Sequence, residues 1–174
     1  MSNWNKVFKP IVGLVVICIV VTGALAATNM VTAPIIAEAT RVAQENARKE
    51  LLPDADGFET LDIKAENVSD VSVATNEVGT VITAKGKGYG GAITVMVAFN
   101  PDDTIKQIKV TEQAETQGVG TNATVKTDFW QQFQGKAPET LTVGDNIDKV
   151  TGATISSKGV TAAVNAAINA YNMI

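Results

Sequence analysis

The chain contains no histidine, and its single cysteine, Cys18, lies inside a long apolar run. The absence of histidine removes the commonest metal ligand and the commonest general base at neutral pH. One cysteine cannot form a disulfide within the chain, and it cannot build an iron–sulfur or zinc-thiolate site. We therefore expect no metal site, and any redox chemistry of this protein requires an organic cofactor.

Charge is unevenly distributed along the sequence. The chain has 14 basic and 18 acidic side chains and a net charge of -4. Lys6 and Lys9 precede the uncharged window 10–37, so the remainder carries 14 - 2 = 12 basic and 18 acidic side chains. An acidic body without a basic stripe argues against nucleic acid as a partner, because such binding requires neutralisation of phosphates.

The apolar run from Ile11 to Val31 has the length of a membrane span, which needs roughly 20 apolar residues. Lys6 and Lys9 flank its N-terminal end, and the first charge beyond its other end is Glu38. The positive-inside rule then places the N-terminus in the cytoplasm and the body outside the cell membrane. We expect residues 1–31 to form a cytoplasmic N-terminus and a single-pass anchor in the lipid bilayer.

Two other interpretations of the apolar run stay open. A cleaved signal peptide would also combine two lysines, a short apolar core and the small residues Ala24-Leu25-Ala26 before Ala27. It would leave the body on the same side of the membrane. A pilin-like stalk is less favoured, because the run lacks the acidic residue that pilins carry a few positions into theirs.

The residues after the apolar run alternate between helical and strand patterns. Residues 32–54 have apolar spacings of three and four, which predicts a connecting amphipathic helix with Pro34 in its first turn. Beyond Phe58 the pattern favours strands at 78–91, 92–100 and 105–112. The turn signal Pro101-Asp102-Asp103 between the last two predicts an antiparallel hairpin.

Two further helices are predicted in the C-terminal part. A short one spans 127–134, and its aromatic residues, Phe129, Trp130 and Phe133, suit a core. A longer one ends the chain, with Ser156 or Ser157 as its N-cap. The order of elements predicts an α+β fold for residues 55–174, an antiparallel sheet with flanking helices.

The segment Asp148–Val160, just before the final helix, combines several features of an anion site. Gly152 and Ala153 allow the backbone to approach a ligand closely, and the Thr154 hydroxyl follows. A helix N-terminus offers free N–H groups to an anion, with Ser156 and Ser157 adding hydroxyl donors. These features are typical of a phosphate-binding site, but they are equally typical of an ordinary loop followed by a capped helix.

A family resemblance favours the phosphate-binding site over the ordinary loop. Asp148, Thr151, Gly152, Ala153 and Thr154 match the flavinylation motif Asp-x-x-(Ser/Thr)-Gly-Ala-(Thr/Ser). The chain thereby resembles the FMN-binding domain shared by the G subunit of the Rnf complex and the C subunit of the sodium-pumping NADH:quinone reductase, and its short length favours the Rnf protein. Residues 86–97 resemble that family's Gly-rich hairpin. Residues 115–120 resemble its Glu-Thr-Pro-Gly-Leu-Gly loop, with glutamine and valine replacing the proline and leucine.

The resemblance implies that Thr154 carries FMN through a phosphodiester bond. A separate flavin transferase that uses FAD and magnesium would install it, with Asp148 and Gly152 presenting the hydroxyl. The flavin would carry the electrons, so we expect no catalytic side chain. A second group of residues would lie against the flavin, with Tyr89 able to stack on its ring: Glu115, Thr116, Gly118, Gly120 and Tyr89.

Membership of the Rnf family also implies a place in a larger assembly. Such complexes pass electrons from ferredoxin to NAD and couple this to sodium or proton translocation. This chain would be one extracytoplasmic relay, with the other membrane and peripheral subunits as partners. Two alternatives remain: a stand-alone membrane-anchored FMN carrier for extracytoplasmic electron transfer, or a non-redox extracytoplasmic binding or scaffold module.

Overall fold

A computed structural model of the chain describes residues 2–118 and 120–174, with side chains described from residue 8 onward. The chain divides into two units, one up to Ala43 and one from Gln44 to Ile174. The second unit contains the sheet and all the predicted site residues that the structure describes. Its boundary lies upstream of residue 55, where the sequence predicts the start of the folded domain.

A single helix, α1, runs from Ser2 to Leu51. The predicted anchor and connecting helix are therefore continuous, and the prediction of Pro34 in a first turn is wrong, because this proline lies inside α1. A proline removes one backbone hydrogen bond, and α1 continues on both sides of Pro34 despite that loss. The stretch from Phe8 onward includes an 18-residue window of mean hydropathy 2.7 with none of it buried, which is long and apolar enough to cross a membrane.

Five strands follow α1 and form one antiparallel sheet in the order β1-β2-β3-β4-β5. Their bounds are β1 Phe58–Thr60, β2 Val68–Ala74, β3 Thr80–Lys87, β4 Ala92–Phe99 and β5 Ile105–Glu112. The predicted hairpin of β4 and β5 is confirmed. The predicted strand 78–91 is too long, since Lys87 pairs with Ala92 and the glycine-rich residues 88–91 form the turn between β3 and β4.

The apolar run of β4 is explained by burial on both faces of the sheet. Alternate residues from Ile93 to Phe99 belong to a large core on the α4 side. The residues between them, Met96 and Ala98, join Leu51 and Leu52 near the end of α1 in a second, smaller core. Successive side chains of a strand point to opposite faces, so a strand covered on both sides is apolar throughout.

Three helices follow the sheet: α2 Thr121–Val125, α3 Thr127–Gln131 and α4 Thr154–Tyr171. The core role predicted for the aromatics of residues 127–134 is confirmed, with Phe129 of α3 and Phe133, just after α3, buried and edge-to-face with ring centroids 5.5 Å apart. The prediction of a serine N-cap for α4 is wrong, because Ala153 is the N-cap residue. The hydroxyls of Ser156 and Ser157 are engaged inside the first turns instead, the latter on the Ala153 carbonyl at 2.9 Å.

Backbone-to-backbone contact brings α4 against β3. A Cβ atom on Gly86 of β3 would overlap the carbonyl oxygen of Gly159 in α4. A Cβ on Gly159 would lie 2.8 Å from the carbonyl oxygen of Lys87. Only glycine at both positions allows this approach. The crossing places the N-terminal turn of α4 beside the glycine-rich turn that follows β3.

Candidate functional site

A cavity of about 490 Å³ lies at the N-terminal end of α4. Three segments form its walls: the β3–β4 turn, the loop after β5, and the loop that enters α4. Its volume is in the range of sites that bind small molecules and cofactors. The lining residues are Tyr89, Glu115, Thr116, Gly120, Gly152, Ala153, Thr154, Ile155 and Ser156.

The structure brings most of the predicted site residues to this cavity. Of those named from the sequence, four are not among the described residues that line it: Gly118, Asp148, Thr151 and Ser157. Ile155 lines the cavity but was not predicted as a site residue. Its only sequence signal is its position directly after Thr154, an apolar residue half exposed at the start of a helix.

Thr154 is the first residue of α4, and its side chain is half-buried at the cavity wall. Its hydroxyl forms no hydrogen bond to another residue in the described part of the chain. Ala153 gives the 18-residue helix no side-chain cap. The first N–H groups of a helix lack intrahelical acceptors and lie at the positive end of its dipole, so this end of α4 can bind an anion in the cavity.

The loop that enters α4 is fixed by two side chains. Gln132 accepts a hydrogen bond from the Asp148 backbone N–H at 2.7 Å and donates to the Asp148 carbonyl at 3.3 Å. Ser157 accepts one from the Val150 N–H at 3.1 Å. The buried Ser157 side chain therefore holds the loop in place, whereas the side chains of Asp148 and Thr151 face solvent. No pattern in the sequence marks Gln132 for this role.

Glu115 has only 7% of its surface exposed, and its carboxylate is held by hydrogen bonds within the protein. Oε1 accepts from the Gly90 backbone N–H at 3.0 Å, and Oε2 accepts from the Ser156 hydroxyl at 2.5 Å. The sequence predicted a contact between Glu115 and the flavin. In the structure the carboxylate joins two other walls of the cavity to its own loop.

The rest of the loop after β5 divides into a cavity wall and a turn. Thr116 lines the cavity, and its carbonyl accepts the Gly120 N–H at 3.2 Å. Gly118 has a φ of 79°, which favours glycine, and its N–H donates to the Thr121 hydroxyl at 2.9 Å. Gly118 therefore shapes the turn, and the second glycine of the pattern, Gly120, lines the cavity.

Two exposed apolar side chains stand at the mouth of the cavity. Tyr89 is 75% exposed and Ile155 is 51% exposed. Tyr89 also borders a second, more open groove of about 640 Å³, whose lining includes Lys85 and Lys87 but none of residues 148–156. The smaller cavity contains the N-terminus of α4, the free hydroxyl of Thr154 and the exposed side chains of Tyr89 and Ile155. We therefore assign the candidate site to this cavity.

Comparisons with known families cover both units of the chain. Residues 88–169 match the FMN-binding domain family. Residues 1–51 match the family described as the RnfG N-terminal region. The first match includes all three walls of the cavity, and the second includes the whole of α1.

Curated relatives match over almost the full length. The G subunit of the proton-translocating ferredoxin:NAD(+) oxidoreductase complex of Clostridium ljungdahlii is 33% identical over 96% of this chain and 92% of its own. The G subunit of the Na(+)-translocating ferredoxin:NAD(+) oxidoreductase complex of Acetobacterium woodii is 35% identical, covering 97% and 93%. The G subunit of the ion-translocating oxidoreductase complex of Methanosarcina acetivorans is 31% identical, covering 97% and 96%.

Among solved structures, the chain is similar to the C subunit of the Na(+)-translocating NADH-quinone reductase from Parabacteroides distasonis, with a TM-score of 0.49 and 23% identity over 60% of each chain. The family assignment depends on the sequence relatives, which exceed 30% identity and are covered almost completely. The chain therefore belongs to the family of G subunits of the ion-translocating ferredoxin:NAD(+) oxidoreductase complexes, as a membrane-anchored protein with an FMN-binding domain.

Proposed function

We propose that this chain is an electron-relay subunit that carries FMN covalently on Thr154. The observation that carries the proposal is the free hydroxyl of Thr154 at the uncapped N-terminus of α4, opening into a cavity with an apolar mouth. The residues present suit the cofactor, since the helix terminus suits its phosphate and the exposed surfaces of Tyr89 and Ile155 suit an aromatic ring.

The backbone at the start of α4 accounts for the phosphate end of the site. A phosphoryl group on Thr154 would lie against the free N–H groups of the first turn, an interaction that contributes roughly 0.3–1 kcal/mol for each charge near a helix terminus. Gly152 has a φ of 79°, and a Cβ atom there would meet no heavy atom within 4 Å. The loop can therefore turn sharply into the helix while leaving space around the hydroxyl.

Attachment of the cofactor would be performed by a separate flavin transferase that uses FAD and magnesium. The Thr154 oxygen would bond to the phosphorus of the FMN half of FAD, AMP would leave, and the hydroxyl would lose its proton. The solvent-facing side chains of Asp148 and Thr151 are accessible to such an enzyme. Gln132 and Ser157 fix the loop that presents them.

Once bound, FMN supplies one- and two-electron transfer, and the chain needs no acid or base of its own. Tyr89 and Ile155 would restrict the ring at the cavity mouth, and the half-open cavity would leave an edge accessible to a redox partner. Thr116 would offer a hydroxyl to the ring. Gly118 and Ser157 would act through the shape of the loops, and the exposed Asp148 and Thr151 would act during attachment by the transferase. None of the four would contact the ring.

The charges around α1 and the relatives support a proposed orientation and a set of partners. Lys6 and Lys9 would hold the N-terminus in the cytoplasm and place the FMN domain outside the cell membrane. The chain would work with the other membrane and peripheral subunits of an Rnf-type complex, between ferredoxin and NAD, with ion translocation as the coupled process. One cofactor outside the membrane cannot complete that route alone, so cofactors in neighbouring subunits are required.

Co-expression of the full chain with a flavin transferase tests the proposal. We expect flavin fluorescence on a denaturing gel and an intact mass increased by one FMN moiety. Thr154→Ala should abolish both, whereas Thr154→Ser should retain both because it keeps the hydroxyl. A fluorescent Thr154→Ala chain would refute the attachment site, and a colourless wild-type chain would favour a non-redox scaffold. Co-purification of other Rnf proteins distinguishes the Rnf relay from a stand-alone carrier.

A further inference from the structure

The buried carboxylate of Glu115 connects the three walls of the candidate FMN cavity. We propose that Glu115 is a positioning residue that holds these walls together around the ring, and that it is not a ligand of the flavin. The inference deepens the proposed function, because it assigns how the same cavity keeps its shape. It concerns residues of this chain alone, so part of its test requires no cofactor.

The first step is the pair of hydrogen bonds. Gly90 belongs to the β3–β4 turn, and Ser156 belongs to the first turn of α4. Each donates to a different oxygen of Glu115, at 3.0 Å and 2.5 Å. Hydrogen bonds to an ionised acceptor are stronger than those between neutral groups. A single side chain therefore links the ring-side turn to the helix that bears Thr154.

The second step is the close fit around the carboxylate. A Cβ atom on Gly88 would overlap Oε1 of Glu115, and a Cβ on Gly120 would overlap Oε2. A Cβ on Gly90 would overlap the carbonyl oxygen of Ala114. The absence of side chains at these glycines creates a slot for one carboxylate. Glycines from two segments that are distant in sequence thus leave space for one acidic side chain.

The third step concerns the choice of glutamate. A buried polar group is costly unless its hydrogen bonds are made, so Glu115 is retained at 7% exposure only with its donors in place. A glutamine could accept from the Gly90 N–H and donate to the Ser156 oxygen, since a hydroxyl can also accept. An alanine could do neither. Glutamine should therefore preserve the geometry without the charge, and this separates positioning from a direct electrostatic effect on the flavin.

The test uses the full chain co-expressed with a flavin transferase. It compares Glu115→Ala, Glu115→Gln and Ser156→Ala with a matched control, Glu112→Ala. Glu112 is an exposed acid near the same loop, and its carboxylate accepts one hydrogen bond, from Thr94 at 3.1 Å. The measurements are flavin fluorescence anisotropy, flavin reduction potential, and hydrogen exchange of the 88–91 turn in the flavin-free chain.

We expect Glu115→Ala to lower the anisotropy towards that of a freely rotating flavin. Hydrogen exchange of the turn should rise about tenfold, the effect of losing one hydrogen bond to a charged acceptor. Ser156→Ala should give a smaller change in the same direction. Glu115→Gln should restore the anisotropy and the wild-type hydrogen exchange, while the loss of a negative charge near the flavin raises its reduction potential. Glu112→Ala should leave the anisotropy and the exchange unchanged.

The inference is overturned if Glu115→Ala keeps wild-type anisotropy and exchange, or if Glu115→Gln leaves the walls as mobile as Glu115→Ala does. The second outcome would show that the charge of Glu115, and not its hydrogen bonds, orders the walls. If Glu115→Ala does not fold, anisotropy and hydrogen exchange are compared between Glu115→Gln and Ser156→Ala instead. Absence of flavin from the wild-type chain would refute the proposed function alone, because exchange in the flavin-free chain still decides whether Glu115 holds the walls.

Discussion

At the residue scale, three hydroxyl groups in the first turns of α4 differ in their hydrogen bonding. Those of Ser156 and Ser157 donate to Glu115 and to the Ala153 carbonyl. The hydroxyl of Thr154 has no such partner in the described part of the chain. Since a hydroxyl that already donates a hydrogen bond inside the fold is a poor target for modification, burial and pairing distinguish Thr154 from its neighbours where composition does not.

Gly152 is the residue whose backbone conformation most directly shapes the approach to Thr154. Gly152→Ala should cost about 1 kcal/mol, because a side chain at a φ of 79° is strained even though a Cβ would have space. We expect flavin loading to fall as well. Gly135→Ala is the matched control, since Gly135 has a φ of 72°, equally open surroundings and no part in the cavity.

Urea unfolding and the ratio of flavin to protein check this comparison. Both variants should lose similar stability, and only Gly152→Ala should lose flavin. Equal flavin loading in the two variants would show that the left-handed turn before Thr154 has no role in presenting its hydroxyl.

Tyr171 provides a test of electrostatics away from the site. Its hydroxyl donates to Asp103 at 2.7 Å, and its ring stacks on Phe99 with centroids 4.2 Å apart. Burial, and then the hydrogen bond and charge of Asp103, raise its pKa from 10.0 to about 12. The folded state favours the protonated phenol, so the stability it contributes is complete below pH 10 and is lost as pH rises towards about 12.

Ultraviolet titration of the phenols measures this directly. The wild-type chain should show one tyrosine that ionises late, and Tyr171→Phe should remove that step. Asp103→Asn should move the step to lower pH, because it removes the nearby negative charge. An unchanged late step in Tyr171→Phe would show that the step does not belong to Tyr171.

The sequence predicts which residues lie at the candidate cavity better than it predicts their contacts. Thr154 and Gly152 are identified by a contiguous motif, and contiguity is visible in a sequence. Glu115 is also identified, but its partner Ser156 lies 41 positions away, and no local pattern reveals that their side chains meet. Gln132 was missed for the same reason, because its contact with the Asp148 backbone depends on tertiary packing.

At the element scale, α4 is predicted well because its apolar stripe has helical spacing, and the buried residues include Val160, Val164 and Ile168. The start of the helix is predicted less well. Serine is a favoured cap in general, yet here both serines are buried by neighbours that the sequence does not place next to them. The short strands β1 and β2 were likewise not separated within the region beyond Phe58, and α2 was missed.

The crossing of α4 and β3 at Gly86 and Gly159 leads to a prediction with an unusual sign. Gly→Ala inside a helix normally stabilises by up to about 1 kcal/mol. At Gly159 the new methyl group would lie 2.8 Å from the Lys87 carbonyl oxygen. We expect Gly159→Ala to destabilise by about 1–3 kcal/mol through overpacking, and to move the N-terminal turn of α4 away from the β3–β4 turn.

Thermal unfolding, with flavin anisotropy as a second measurement, tests this prediction. Asn169→Ala is the control, because Asn169 is exposed on the same helix and should follow helix propensity. Stabilisation in both variants would mean that the backbone crossing is looser than the structure indicates.

At the scale of the whole molecule, the sheet needs the last turns of α1 to cover one face. Ala47, Leu51 and Leu52 are buried against the face of the sheet opposite α4. The contact is extended by an ion pair between Arg48 and Asp70 at 2.9 Å. The amphipathic spacing predicts a helix at these positions, but it does not reveal that the helix completes the core of the domain. The compact unit accordingly begins at Gln44.

Truncation measures how much the folded unit depends on this segment. A chain that begins at Gln44 keeps the buried leucines, whereas one that begins at Gly57 exposes the sheet face of Val81, Met96 and Ala98. Each leucine contributes about 1.5–3 kcal/mol by burial, so we expect the shorter chain to lose about 3–6 kcal/mol. That loss is comparable to the whole stability of many domains.

Urea unfolding of the two fragments should show a cooperative transition for the longer one and aggregation or a much lower midpoint for the shorter. Leu52→Ala in the longer fragment should give an intermediate loss of about 2–5 kcal/mol. Equal midpoints for the two fragments would mean that the end of α1 only connects the anchor to a domain that is already complete.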